Sequence, residues 1–260
     1  MEIAKNKTLV VVQTKGGVGK TVLSSHVLPA LIDNKKINVF EIDDNNVSKI
    51  KSNVINFKTI KVQHSDNELY DVYFDLINDD DVVNIVDCGG GNDSIAILDK
   101  LAENDMSGLT YFVPINDDIE QFENAKNTIT AIRQRDARAK INLILNRVNV
   151  MNEESIKKQF INVFGDEEVG LNNRIKELDA EHVYFVPTST VFGIVKNIYQ
   201  TTVKDSYLEA RDIIDNIEEL RTEWAKDRET FKTKMNKYKF AKRIDELVDS
   251  FSPLKKAIYI

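Results

Sequence analysis

A single cysteine, Cys88, excludes an intramolecular disulfide framework and any Cys-x-x-Cys metal site. Long apolar runs are missing too. The start, MEIAKNKTLVVVQTKGG, holds one short apolar stretch leading straight into a glycine loop, which is neither a secretory signal nor a membrane-spanning helix. Both absences set the expectation of a cytoplasmic protein. Positive charge is outweighed: 35 Lys/Arg against 42 Asp/Glu leave a formal charge of -7, which argues against nucleic-acid binding over the whole surface. Glycine and proline are scarce, ten and four in 260 residues, and neither occurs between Ile194 and Ser252.

What remains is a chain with a mean hydropathy of -0.33, long enough for one large α/β domain with an appendage. At this length roughly 70–75% of the extended surface is buried on folding. Apolar, β-branched runs recur at Thr8–Gln13, Ile37–Asp43, Phe57–Gln63, Val82–Asp87, Leu109–Pro114, Ile141–Asn146 and His182–Pro187. Helical patterns separate them. In DDIEQFENAKNTITAIRQR, Ile119, Phe122, Ala125, Ile129 and Ile132 share one helical face, and Asp117 with Glu120 has the spacing of a capping box. The alternation predicts an α/β fold, a doubly wound, mostly parallel sheet of the P-loop NTPase type. After Gly193 strand-like runs stop. Ile213, Ile217, Leu220, Trp224, Phe231, Met235 and Tyr238 continue at helical spacing, which predicts one long helix or two packing part of their apolar stripe on the sheet. The expected division is residues 1–203 and a helical C-terminal extension, 204–260.

Six of the ten glycines fall in two short loops, Gly16, Gly17 and Gly19 in QTKGGVGKTV and Gly89, Gly90 and Gly91 in VVNIVDCGGGND. The first loop follows a strand and opens a helix, the setting of a phosphate-binding P-loop. Glycines let successive N–H groups approach phosphate oxygens, and the helix adds its positive end. Lys20 would reach the β- and γ-phosphates, and the Thr21 hydroxyl would ligate Mg²⁺.

Thr14 stands where a standard P-loop has its first glycine, and Lys15 precedes the glycine pair. K-G-G-x-G-K-T resembles the deviant Walker A motif of the ParA/MinD family of P-loop ATPases, over roughly residues 6 to 200. The resemblance is nearest to short plasmid-partition ParA-like proteins. It implies that Gly16, Gly17, Val18, Gly19, Lys20, Thr21 and Val22 wrap ATP, and that Lys15 crosses to the partner subunit's nucleotide in an ATP-sandwich dimer. VFEIDDNN resembles the family's D-x-D-P-Q switch, with Glu41 for the first Asp and Asp44 for the proline. Asp43, or its neighbour Asp44, would then position the attacking water. VVNIVDCGGGND resembles the Walker B strand: Asp87 would hold Mg²⁺ through water, and Gly89 would stand beside the γ-phosphate. LILNRV and FVPTSTVFG resemble the segments where Asn146 recognises adenine and the backbone at Pro187 lines its pocket.

The family's jobs differ. The lone Cys88 disfavours iron–sulfur carriers, which use paired cysteines. The C-terminal SPLKKAIYI is basic and apolar but short, so membrane binding of the MinD kind is not expected, and a tail packed on the domain is. From Lys226 to Arg243, eight Lys/Arg face two Asp/Glu, a local charge of +6 that leaves -13 for the rest. Lys232, Lys234, Lys237, Lys239, Lys242 and Arg243, interleaved with aromatics, form a candidate surface for non-specific DNA. The P-loop's early position sets the expectation that no helix-turn-helix precedes it. The resemblance therefore implies a cytoplasmic, nucleoid-associated, Mg-ATP-dependent dimerising ATPase that segregates plasmid or chromosomal DNA with a small centromere-binding adaptor. An accessory ATPase of conjugative transfer and a MinD-like membrane-associated positioning ATPase are the alternatives.

Overall fold

The structure, a computed structural model, describes residues 8–43, 50–64, 66–78 and 81–259. Seven strands form one all-parallel sheet: β1 (Thr8–Val11), β2 (Lys36–Ile42), β3 (Ile55–Ile60), β4 (Val82–Cys88), β5 (Thr110–Ile115), β6 (Lys140–Val148) and β7 (His182–Pro187). Their order is β3-β2-β4-β1-β5-β6-β7, which puts β1 at the centre between β4 and β5. The third strand lies earlier than its apolar run suggests. It is registered from Ile55 opposite Ile37 to Ile60 opposite Ile42, and the chain then turns through Val62–His64 with His64 N–H on the Lys61 carbonyl.

Both faces of the sheet are covered, which is why its central strands read as continuous apolar runs rather than alternating ones. Val10 points into one core and Leu9 and Val11 into the other. The first core is closed by α2 (Asp66–Asn78), α3 (Asn92–Glu103), α4 (Gln121–Arg135), α5 (Glu153–Gln159) and α6 (Ile161–Phe164), through residues such as Leu69, Leu98, Phe122, Ile156 and Val163. The second is closed by α1 (residues 20–31) and the C-terminal helices.

Helix α1 carries a wide turn at Leu23–Val27, where the Leu28 N–H reaches back five residues to the Leu23 carbonyl. The widening stops just ahead of Pro29, whose ring crowds the carbonyl four residues back in a regular helix. The start of α4 differs from expectation. Asp117 binds the Gln159 side chain instead of capping, the helix begins at Gln121, and Ile119 stands 73% exposed ahead of it. The capping-box spacing fails because Asp118, one residue on, takes the Glu120 N–H.

After β7 come α7 (residues 190–199), α8 (Val203–Asp215), α9 (Ile217–Trp224), α10 (Arg228–Ser250) and α11 (Lys255–Tyr259). The extension is thus broken more often than its apolar stripe suggests. Asp227 makes one break, since its carboxylate caps α10 by accepting from Glu229 N, Thr230 N and the Thr230 hydroxyl. Helices α8 and α10 pack together, joined by Arg211–Asp245 at 3.2 Å, and their Ala210, Ala241, Ile244, Leu247 and Val248 enter the second core. Leu254, Ala257 and Ile258 are buried in that same core, and the Tyr259 hydroxyl accepts from Asp33 N at 2.8 Å. The tail packs on the domain.

Candidate functional site

The loops leaving the C-terminal ends of β1, β2, β4 and β6 surround a cleft of about 1000 Å³. This is the end of an open α/β sheet where ligands bind. Gly17 and Gly19 have φ of 78° and 98°, the left-handed region that glycine enters without steric cost. At Gly19 a side chain is excluded twice, since a Cβ would stand 1.9 Å from Asn146 Nδ2. Thr14 is used where a glycine is customary: its hydroxyl lies 3.3 Å from the Thr128 hydroxyl on α4, which in turn donates to Gln13 Oε1 at 2.7 Å.

The two lysines of the loop face opposite ways. Lys20 is buried and donates to the carbonyls of Gln13 at 2.9 Å and Lys15 at 3.2 Å. Burial pushes its ammonium below the ordinary lysine range, opposed by Asp87, Cys88, Asp43 and Asp93. Lys15 is about half exposed, and its ammonium lies 3.5 Å from Glu120 Oε2 at the surface.

Asp87 is the penultimate residue of the buried strand β4. Its Oδ2 accepts from the Ser24 hydroxyl at 2.8 Å, while its Oδ1 is buried with no hydrogen-bond partner among the described residues. Burial raises its pKa to about 7, against the stabilising Ser24 hydroxyl and Lys20 ammonium. A buried acceptor with an open lone pair, beside the Thr21 hydroxyl on the cleft wall, fits a hard divalent cation. No group of three or more His, Cys, Asp or Glu that could hold a metal occurs among the described residues. Magnesium commonly takes one or two carboxylates and completes its shell with water and ligand phosphates.

The glycine loop after β4 is fastened to its neighbours. Gly89 N–H donates to the Ile42 carbonyl at 2.8 Å and Gly91 N–H to the Thr14 carbonyl at 2.6 Å. Gly90 faces Lys20, a Cβ there standing 3.8 Å from Nζ. Across the cleft, Asp43 is half-buried at the lip, and Glu41 is held by the hydroxyls of Thr59 at 3.0 Å and Ser25 at 3.4 Å. Asp44 lies outside the described residues.

Of the remaining sequence candidates, Gly16, Gly17, Gly19, Lys20, Thr21, Val22, Asp43, Asp87 and Gly89 line the cleft together. Val18 is fully buried behind it. Asn146 sits behind the loop too, donating to the Val18 carbonyl at 2.8 Å and accepting from Arg147 N at 2.9 Å. Pro187 closes β7 opposite Val148 and is not a lining residue. Arg147, at φ 61° and donating to the Gly17 carbonyl at 3.1 Å, stands on the wall instead, with Ile50, Lys196, Asn197 and Gln200. Sequence reasoning missed these. For Arg147 the cue was its place directly after Asn146; for Lys196 to Gln200 there was none, because their helix follows the last strand. The basic set is on α10 and does not line the cleft, with Lys232, Lys237, Lys239, Lys242 and Arg243 exposed and Lys234 half-buried.

Comparison with known proteins agrees with this geometry. No curated protein matches the sequence significantly. Among solved structures, an ATP complex of McdA from Cyanothece aligns with a TM-score of 0.51 and 11% identity over 77% of this chain and 90% of that one. Apo McdA aligns with a TM-score of 0.50 and 12% identity over 74% and 89%. A plasmid partition protein from Borrelia burgdorferi aligns with a TM-score of 0.43 and 16% identity over 75% and 96%. At such identities the McdA likeness is one of fold. Residues 9–184, more than half of the chain and including every loop of the cleft through Arg147, match the family described as CbiA: CobQ/CobB/MinD/ParA nucleotide binding domain, and the chain belongs to that family.

Proposed function

We propose that the chain is a Mg-ATP-dependent ATPase that dimerises around its nucleotide and segregates plasmid or chromosomal DNA. The observation that carries this reading is the opposed pair of lysines in one loop. Lys20 is turned into its own cleft, whereas Lys15 lies toward Glu120 at the surface, in a solvent-screened contact. An outward cation beside a phosphate cradle suits a second copy's nucleotide, where it offsets charge developing on the leaving phosphate.

In this mechanism Lys20 exchanges its Gln13 and Lys15 carbonyls for phosphate oxygens, a trade of neutral for charge-assisted bonds. Thr21 and Asp87 Oδ1 would hold magnesium, whose chemistry is to oppose phosphate charge. Asp43 orients water from the lip of the cleft, and Gly89 keeps the β4 loop close to the terminal phosphate. Adenine recognition by Asn146 requires exchange of its bond to Val18, and a role for the backbone at Pro187, off the present cleft wall, requires the adenine pocket to reach the end of β7.

The exposed lysines of α10 supply DNA contacts, and a small centromere-binding adaptor supplies sequence choice. The buried tail favours DNA over the membrane as the surface on which the protein works, since Leu254, Ala257 and Ile258 have no apolar area left to insert. No helix among the described residues is long and apolar enough to cross a membrane.

Size-exclusion chromatography with ATP and Mg²⁺, beside a DNA mobility-shift titration, tests the reading. The wild type is expected to dimerise with ATP and then bind DNA irrespective of sequence. Lys15→Ala is expected to bind ATP and remain monomeric, and Asp43→Ala to accumulate as a dimer that does not turn over. A wild type that stays monomeric with ATP, or a dimer that ignores DNA, overturns the proposal.

A further inference from the structure

Helix α7 ends in a wide turn, Val195–Tyr199, in which Val195 is buried and the next four residues are all exposed. Two of them are large and apolar and adjacent in the chain, Ile198 at 69% and Tyr199 at 55% exposure. This turn lies against the basic helix. The Tyr199 ring meets Phe240 edge-on at 5.7 Å, and the Arg243 guanidinium sits 5.6 Å from the same Phe240 ring. At the other end of α7, Arg243 donates to the Thr190 hydroxyl at 2.7 Å. The chain holds 42 acidic residues, yet none falls between Thr190 and Gln200 or between Thr230 and Ile244. Two segments remote in sequence, neither containing an acidic residue, thus meet at one surface.

We propose that the turn Lys196–Tyr199 and the basic face of α10 form a single platform for the duplex-DNA backbone, bordering the nucleotide cleft. This rests on the DNA-binding reading above and extends it from one helix to two. Lys196 stands in the same turn as Tyr199, and the Arg243 guanidinium packs on the Phe240 ring, so each side of the aromatic contact brings a cation from its own segment. Cations neutralise phosphates, while a tyrosine hydroxyl donates to phosphate or sugar oxygen and exposed apolar groups pack on deoxyribose. A protein partner of acidic charge would meet the same cations, but sequence-independent phosphate spacing needs only what the platform has: dispersed lysines on two elements. Because Lys196, Asn197 and Gln200 also line the cleft, DNA and nucleotide act on one turn. Any effect of ATP on DNA affinity is then matched by an equal effect of DNA on ATP affinity.

The test is fluorescence anisotropy of a random-sequence duplex with the full chain, ATP and graded salt, next to sedimentation with phosphatidylglycerol–phosphatidylcholine vesicles. Ile198→Glu changes an exposed side chain and places an anion on the platform; its DNA affinity is expected to fall roughly tenfold or more at low salt. Val169→Glu adds the same charge at a 63% exposed site outside the platform and is expected to bind as the wild type does. Lys196→Ala, measured at saturating ATP, is expected to shrink the log–log salt slope by about one. Wild-type affinity in Ile198→Glu, while reversal of Lys237 and Lys239 to Glu abolishes binding, overturns the two-element platform and leaves the DNA reading standing. Vesicle binding that Ile198→Glu abolishes, with DNA binding unchanged, also overturns it and makes the surface a lipid site. A wild type that binds no DNA overturns both.

Discussion

Gly19 sits at φ 98° with Asn146 Nδ2 where its Cβ would be. Gly19→Ala therefore meets two separate penalties, a left-handed backbone and a steric overlap. The backbone alone costs about 1–3 kcal/mol. Asn146→Ala in the same chain removes the overlap but not the φ, so urea unfolding is expected to show partial recovery of stability and no recovery of ATP binding. Lys20 illustrates the opposite balance. Its burial disfavours the charged form, and the Gln13 carbonyl that it binds also accepts from Ser94 at 3.2 Å. Lys20→Met is thus expected to leave thermal stability equal or higher while lowering ATP affinity roughly a hundredfold, as loss of charge-assisted phosphate bonds requires. Calorimetry of unfolding beside ATP titration reads both. A variant that unfolds readily would instead make Lys20 a structural lysine.

The start of α8 joins parts of the molecule that are far apart in sequence. The carboxylate of Asp205 accepts from the Ser52 hydroxyl at 2.6 Å, from Asn53 N at 2.9 Å and from the Thr202 hydroxyl. Lys51 N donates to the Gln200 carbonyl at 3.1 Å, just ahead of these contacts. On its other side, Val203 N donates to His26 Nδ1, and Lys204 Nζ donates to the Ile32 carbonyl at 2.6 Å, both on or next to α1. The helix that begins the C-terminal hairpin is therefore pinned to the nucleotide helix and to the chain entering β3. Asp205→Ala strands three donors and is expected to cost about 2–4 kcal/mol. Amide hydrogen exchange should speed up at Asn53, with Asp205→Asn recovering part of the protection through its one remaining carbonyl acceptor. Unchanged exchange at Asn53 would show that β3 pairing alone holds this segment.

At the scale of the whole molecule, stability depends on a histidine buried between the two halves of the second core. His26 Nδ1 accepts the Val203 N–H, so the ring proton is on Nε2, which is buried without a partner among the described residues. Burial, aided by the charge of Lys196, lowers its pKa to about 4. Protonation would also set a new N–H against the Val203 N–H. In the unfolded chain the imidazole takes its proton near the ordinary value of about 6.5. The contribution is therefore complete above about 6.5, declines as pH falls toward 4, and stays constant below, for a total on the order of 3 kcal/mol. Urea midpoints measured at pH 7 and near pH 4 are expected to differ less in His26→Gln than in the wild type. Equal slopes in the two proteins would place the pH dependence elsewhere.

Much of the fold and part of the site were legible in the sequence because they depend on local pattern. Seven apolar runs separated by helical spacing dictate a buried parallel sheet, and crowded glycines next to Lys20 and Thr21 dictate a phosphate cradle after the first strand. Asp87 was legible for the same reason, as the polar residue ending a buried run. What depends on packing was not. Nothing in its own segment says that Asn146 turns its amide to Val18, that Ile119 stays outside the helix whose apolar spacing it continues, or that Thr14 has a partner in Thr128. Those outcomes follow from competing hydrogen-bond donors and from neighbours more than a hundred residues away. The meeting of Tyr199 with Phe240 is of this kind. Short-range periodicity determines which side of a helix is apolar, but only the closed second core determines which helix that side meets.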